Sequence, residues 1–171
     1  MRAPVLTMFL LAVPALAAQA QSPVATAFRT LEAGRARNLI AAAETMPADK
    51  YAYKPTPAQM TFGAVVMHLA EGNDYLCGSI GGVAAPKRTP LAETAGKDAL
   101  VARLKETFDF CTTSLASLDD SKLDEQLPFF GRKMSRASEM LETAGDWADH
   151  YSQASVYLRM NGQLPPTAKK P

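Results

Sequence analysis

Ser135 to Gly162 reads SRASEMLETAGDWADHYSQASVYLRMNG, and this stretch decides the fold. Met140, Trp147, Ala154 and Leu158 recur at helical steps along it. Asn161-Gly162 is a strong stop, and Pro165-Pro166 follows it. The pattern predicts one long helix from about Ser135 to Met160. A helix of that length with one apolar stripe must bury it against other helices.

Working outward, three more helical periods appear. The first runs from Pro23 to Thr45, with Val24, Phe28, Leu31, Leu39 and Ala42 on its stripe. It stops at Met46-Pro47, because proline disfavours helix in the residue before it. The second starts after Thr61, a plausible N-cap, and carries Phe62, Val65, Val66, Leu69, Leu76 and Ile80 up to Gly81-Gly82. The third runs from Lys97 to Leu118, with Leu100, Leu104, Phe108, Cys111, Leu115 and Leu118 in phase. Gln126 to Lys133 reads as a short extended piece, and no other strand pattern is convincing. The expected class is all-α, a four-helix bundle. The connection from Gly81 to Gly96 holds Gly81, Gly82, Pro86, Pro90 and Gly96. Antiparallel neighbours need only about 2–8 residues. The extra length suits a crossover that leaves helices two and three parallel.

Composition narrows the function classes. The chain has 171 residues, 47% hydrophobic and 20% charged, and 30 are alanine. That supports a packed helical core. Eighteen basic and 17 acidic side chains give a formal charge of +1. Such a chain has no general pull towards nucleic acid or an anionic membrane. Two Cys exclude a disulfide-rich scaffold, and the Cys-x2–4-Cys and His-x3–5-His spacing of a zinc finger does not occur. Gly-x-Ser-x-Gly, a phosphate-cradling glycine loop and His-Glu-x-x-His do not occur.

Met1 to Ala20 reads MRAPVLTMFLLAVPALAAQA. Arg2, a short apolar run and Ala18-Gln19-Ala20 have the layout of a secretory signal peptide cleaved after Ala20. The run is short for a membrane span, which needs about 20 apolar residues. The expected layout is a signal peptide over 1–20, a bundle over 21–166 and a disordered tail over 167–171. The expected setting is secreted, periplasmic, with no stable membrane anchor.

The two histidines, His68 and His150, fall on the second and fourth helices. Asp146 precedes His150 by four residues, so the two share a helix face. With His68 from a facing helix they form a three-ligand set suited to a divalent metal, Zn²⁺, Ni²⁺ or Fe²⁺. From spacing alone, the alternative is a packed His68 beside an ordinary Asp146–His150 surface pair. Glu71, one turn from His68, and Gln153, one turn from His150, are candidates for supporting groups. For Glu71 a solvated helix face is the competing reading. Cys77 and Cys111 lie at similar depths in helices two and three. Parallel helices would bring them to one level, which allows a disulfide in an exported domain. Two buried thiols are the alternative.

Met46-Pro47-Ala48-Asp49-Lys50-Tyr51, Lys54-Pro55-Thr56-Pro57 and Thr61-Phe62-Gly63 lead to His68-Leu69-Ala70-Glu71. Asp149-His150-Tyr151-Ser152-Gln153 leads to Tyr157-Leu158-Arg159-Met160-Asn161-Gly162 and Pro165-Pro166. These motifs resemble the DinB-like/YfiT-like superfamily of metal-dependent enzymes, over about Val24 to Pro166. The resemblance implies an up-down-down-up bundle. It also implies a metal held by His68, His150 and the position four residues before His150. That position is His in the family pattern and Asp146 here. A carboxylate keeps a usable ligand but hardens the site, or marks a site that has been lost. The implied chemistry is hydrolysis or transfer on a small molecule. The competing reading is a non-catalytic bundle that binds a small ligand or partner. No sequence feature fixes the oligomeric state, and a homodimer through an exposed apolar helix face is open to such a bundle.

Overall fold

The computed structural model describes residues 22–168, so the expected signal peptide lies outside the described residues. Four helices carry the fold: α1 Pro23–Thr45, α2 Phe62–Gly81, α3 Lys97–Leu115 and α4 Arg136–Met160. Their ends follow local chemistry. Thr61 accepts from the backbone N–H of Ala64 at 3.1 Å and starts α2. Ser135 does the same for Ser138 at 3.2 Å and starts α4. Gly82, at φ 67°, takes the left-handed turn that ends α2.

The N-terminus of α1 is capped from a distance. Its Val24 and Ala25 N–H groups donate to the Asp120 carboxylate at 3.0 and 2.8 Å. The free N–H groups and the positive end of the helix dipole both favour a carboxylate there. At the same end of the bundle, α3 stops at Leu115, one turn short of the expected Leu118. Arg29 of α1 meets this end: its guanidinium donates to the carbonyls of Leu115 and Leu118 at 3.4 and 2.7 Å. The Leu115 carbonyl also accepts the Leu118 N–H at 3.1 Å in a tighter final turn, and Leu118 still reaches the core.

The order is up-down-down-up. The pairings Asn73 with Thr107 and Cys77 with Cys111 make α2 and α3 parallel. The pairings Ser79 with Glu139 and Asn73 with Trp147 make α2 and α4 antiparallel. The crossover from Gly82 to Gly96 is pinned by Arg88. Its guanidinium grips Asp74 of α2 through two bonds of 2.5 and 2.9 Å. Cys77 and Cys111 are joined in a disulfide with Cα atoms 5.0 Å apart.

The extended piece becomes a hairpin, β1 Gln126–Phe129 and β2 Arg132–Ser135, paired antiparallel with Phe129 opposite Arg132. Phe130 and Gly131 form its turn at φ 44° and 81°. Positive φ at both central residues is what a two-residue turn needs to match strand twist. The core runs the length of the bundle. Trp147 is fully buried, stacked on Phe28 of α1 at 5.8 Å and beside Phe108 of α3 at 6.0 Å. Between the parallel α1 and α4 a shallow apolar groove of about 260 Å³ remains, lined by residues such as Val24, Leu31, Leu141 and Ala144. At the C-terminal end, Thr167 is tied to Tyr151, hydroxyl to hydroxyl at 2.8 Å. The chain is therefore held as far as Thr167, and residues 169–171 of the expected tail lie outside the described residues.

Candidate metal centre

His68 sits in the second turn of α2 and is exposed, on the flank that faces α4. Asp146 and His150 sit on the middle of α4, half-buried. The antiparallel register brings the three together. One ligand atom from each lies within 4.8 Å of the others. The two imidazole rings meet edge to face with centroids 4.8 Å apart. Asp146 Oδ1 is 3.3 Å from His150 Nε2. A Zn-type ion bonds His nitrogen and carboxylate oxygen at about 2.0–2.2 Å, so its ligand atoms stand about 3.0–3.6 Å apart. The Asp146–His150 pair already stands in that range, and all three donors lie within 4.8 Å. The donor set fits a divalent cation.

Hydrogen bonding fixes which nitrogen of His150 faces the site. Tyr157 donates its hydroxyl to the carbonyl of Met60 at 2.9 Å. It accepts in turn from Gln153 Nε2 at 3.4 Å. That orientation leaves Gln153 Oε1 as an acceptor, 3.0 Å from His150 Nδ1. Nδ1 therefore carries a proton, and Nε2 points at the Asp146 carboxylate. Two lone pairs facing each other repel, so the pair requires a positive species there: a second ring proton or a metal ion. Without metal, the hydrogen bond to Asp146 raises the His150 imidazolium above the usual histidine range, against the opposing effect of burial.

Gln153 thus touches the site by hydrogen-bonding His150. Glu71 does not. Three residues beyond His68, it is turned by about 60° around the helix. It is exposed and lines a separate cavity under the crossover with Asp74, Arg88 and Arg103. Glu71 therefore lies on an exposed face away from the three donors.

Beside the three ligands lies a cavity of about 210 Å³ lined by His68, Gly72, Leu76, Phe129, Phe130, Glu142, Thr143 and Asp146. Five of these were not singled out from sequence: Gly72, Phe129, Phe130, Glu142 and Thr143. Glu142 had a usable signal, since Glu142, Asp146 and His150 repeat every four residues on one helix. The aromatic pair had little, because Phe130-Gly131 is not a common turn dipeptide.

A family model described as the DinB superfamily matches residues 30–154. Solved structures share the fold. A DinB-like protein of Bacillus subtilis, YjoA, aligns with a TM-score of 0.68 at 21% identity, covering 85% of this chain and 99% of that one. A DinB-like protein of Bacillus cereus gives 0.70 at 15% identity, covering 84% and 97%. A conserved protein of Enterococcus faecalis gives 0.63 at 13%, covering 78% and 94%. No curated protein matches the chain significantly. With the family match spanning most of the bundle and the same architecture in those structures, the chain belongs to the DinB superfamily.

Proposed function

We propose that this protein is an exported, divalent-metal-dependent enzyme, a hydrolase or transferase acting on a small molecule, with His68, Asp146 and His150 as metal ligands. The observation that carries the proposal is the convergence of these three donors from α2 and α4 within 4.8 Å. The committed Nδ1 proton of His150 adds to it, because the facing Nε2 and Asp146 pair calls for a cation. Zn²⁺, Ni²⁺ and Fe²⁺ all suit two imidazoles and a carboxylate.

The residues divide the work. His68, Asp146 and His150 would hold the ion. Gln153 and Tyr157 orient the His150 ring through their relay to Met60. A divalent ion with an open position supplies Lewis acidity and an acidified water, whose pKa falls to about 7 in zinc enzymes. Export is supported by the signal-like composition of residues 1–20 and by the Cys77–Cys111 disulfide, a bond typical of oxidising compartments.

The competing reading is a non-catalytic bundle whose metal site has been lost, and the direct Asp146–His150 contact at 3.3 Å favours it, since the pair satisfies itself once His150 is protonated. Metal content separates the two. The chain from Gln21 onward, purified without chelator or His tag, is expected to hold close to one ion, measured by plasma mass spectrometry. His68→Ala and His150→Ala should each lose it. No metal after dialysis against Zn²⁺, Ni²⁺ and anaerobic Fe²⁺ would overturn the enzyme reading. Export is tested separately, by N-terminal sequencing of the protein from a periplasmic fraction.

A further inference from the structure

We propose that the cavity beside the metal centre is a substrate subsite for a small neutral molecule with one aromatic ring. The ring would rest against Phe130, and the molecule's polar end would face Asp146 and Glu142. The inference rests on the metal reading only for the polar end; the ring-binding wall stands without it.

The cavity has two unlike walls. His68, Asp146 and Glu142 form the polar one. Leu76, Phe129 and Phe130 form the apolar one. Its volume, about 210 Å³, limits the occupant. A cavity of about 150 Å³ accepts benzene. Drug-sized ligands occupy roughly 300–1,000 Å³. One ring with a short polar arm therefore fits. Two carboxylates face the space, and a divalent ion would balance both, so an anionic molecule gains no net attraction there.

Phe130 does not behave like a residue placed for stability. It is 71% exposed, a poor use of a large apolar side chain. It also holds φ at 44°, a conformation that costs a non-glycine residue about 1 kcal/mol or more. Yet it is held firmly. Tyr75 of α2 accepts from the Phe130 N–H at 3.2 Å and donates to the Pro128 carbonyl at 3.3 Å. The two rings lie 4.7 Å apart. The aromatic wall is thus bolted to the helix that carries His68.

Gly72 is the second independent observation. It lies one turn beyond His68, inside α2, where glycine weakens a helix by about 1 kcal/mol relative to alanine. Packing does not require it, because a Cβ built there meets nothing within 4 Å. The missing side chain leaves the cavity open instead.

The test compares 4-phenylimidazole with 4-methylimidazole at about pH 8.5, where both are mainly neutral and they differ in the phenyl ring. Both are titrated into the chain from Gln21 onward, metal-free and zinc-loaded, and followed by amide NMR shifts. We expect the phenyl compound to bind about tenfold tighter, as burial of one ring implies. The shifts should centre on Gly72, Phe129, Phe130 and Gly131. Gly72→Leu, which fills the cavity with a better helix former, and Phe130→Ala should each abolish the preference while leaving folding and zinc uptake intact. Equal affinities in the parent protein would overturn the subsite. So would a preference that survives both variants, or shifts centred on Leu31 and Leu141 in the α1–α4 groove. A preference that persists without any zinc uptake would overturn the metal reading and leave the subsite standing.

Discussion

The indole N–H of Trp147 donates to Asn73 Oδ1 across 2.8 Å at the centre of the bundle. Asn73 Nδ2 donates onward to Thr107 Oγ1 at 3.2 Å, and Thr107 donates to the carbonyl of Leu104. The chain links α4, α2 and α3 through groups that are all buried. It also sets the register in which His68 meets His150, since both lie on the same side of the Asn73–Trp147 level in an antiparallel pair. Removing the amide leaves a buried indole N–H without a partner, at a cost of about 1–3 kcal/mol. Asn73→Leu is expected to lower stability in urea unfolding by that amount and to weaken zinc binding in calorimetry. Unchanged zinc affinity would show that the register does not depend on this bond.

Gln153 gives a prediction confined to the metal centre. It fixes the His150 ring through Nδ1. Loss of such a supporting hydrogen bond typically costs about 10–100-fold in metal affinity. Gln153→Ala should weaken zinc binding within that range and leave the unfolding midpoint of the metal-free protein nearly unchanged.

The Cys77–Cys111 bond closes a separation of 34 residues. The chain-entropy model assigns such a loop about 3–4 kcal/mol. The double variant Cys77→Ala/Cys111→Ala should lose close to this in denaturant unfolding. Reduction with dithiothreitol should reproduce the shift in the parent protein and have no effect on the variant.

Glu32 produces a pH dependence of known sign. Burial raises its carboxyl above the ordinary range, the Thr112 hydroxyl partly offsets this, and Asp109 adds to it. The folded state therefore holds its proton to higher pH than the unfolded chain does. Between the two pKa values the folded state binds more protons, so this group's contribution to stability falls as pH rises. Glu32→Gln should be more stable than the parent at pH 7, with the advantage shrinking towards pH 4, as read by thermal unfolding.

Asp120 caps α1 from another part of the chain. Asp120→Ala should cost about 1–2 kcal/mol, the range for a lost N-cap. Fraying should be confined to the first turn of α1, seen as faster amide exchange at Val24 and Ala25.

Much of the architecture was legible because it rests on local rules. Apolar spacing located all four helices, Thr61 and Gly82 marked the ends of α2, and the long connection before Lys97 implied the parallel crossover. The cysteines followed once that crossover was granted. Less was legible where a distant group decided the outcome. Arg29 of α1 binds the carbonyls of Leu115 and Leu118 where α3 ends early, and no pattern near Leu118 announces it. Glu71 is a neighbour of His68 along the chain with a solvated face as its competing reading, and about 60° of helix turn takes it to another cavity.

By itself, then, the sequence determined the helices, their order and the donor types at positions 68, 146 and 150, because periodicity and side-chain chemistry are properties of the chain alone. Only the tertiary structure decided that these donors meet, which nitrogen of His150 faces them, and that Phe130 and Glu142 border the same space. Those facts depend on inter-helix register and on hydrogen bonds between residues far apart in sequence, such as Asn73 with Trp147 and Tyr157 with Met60. Such contacts form only after the apolar faces have packed, so local spacing carries no record of them.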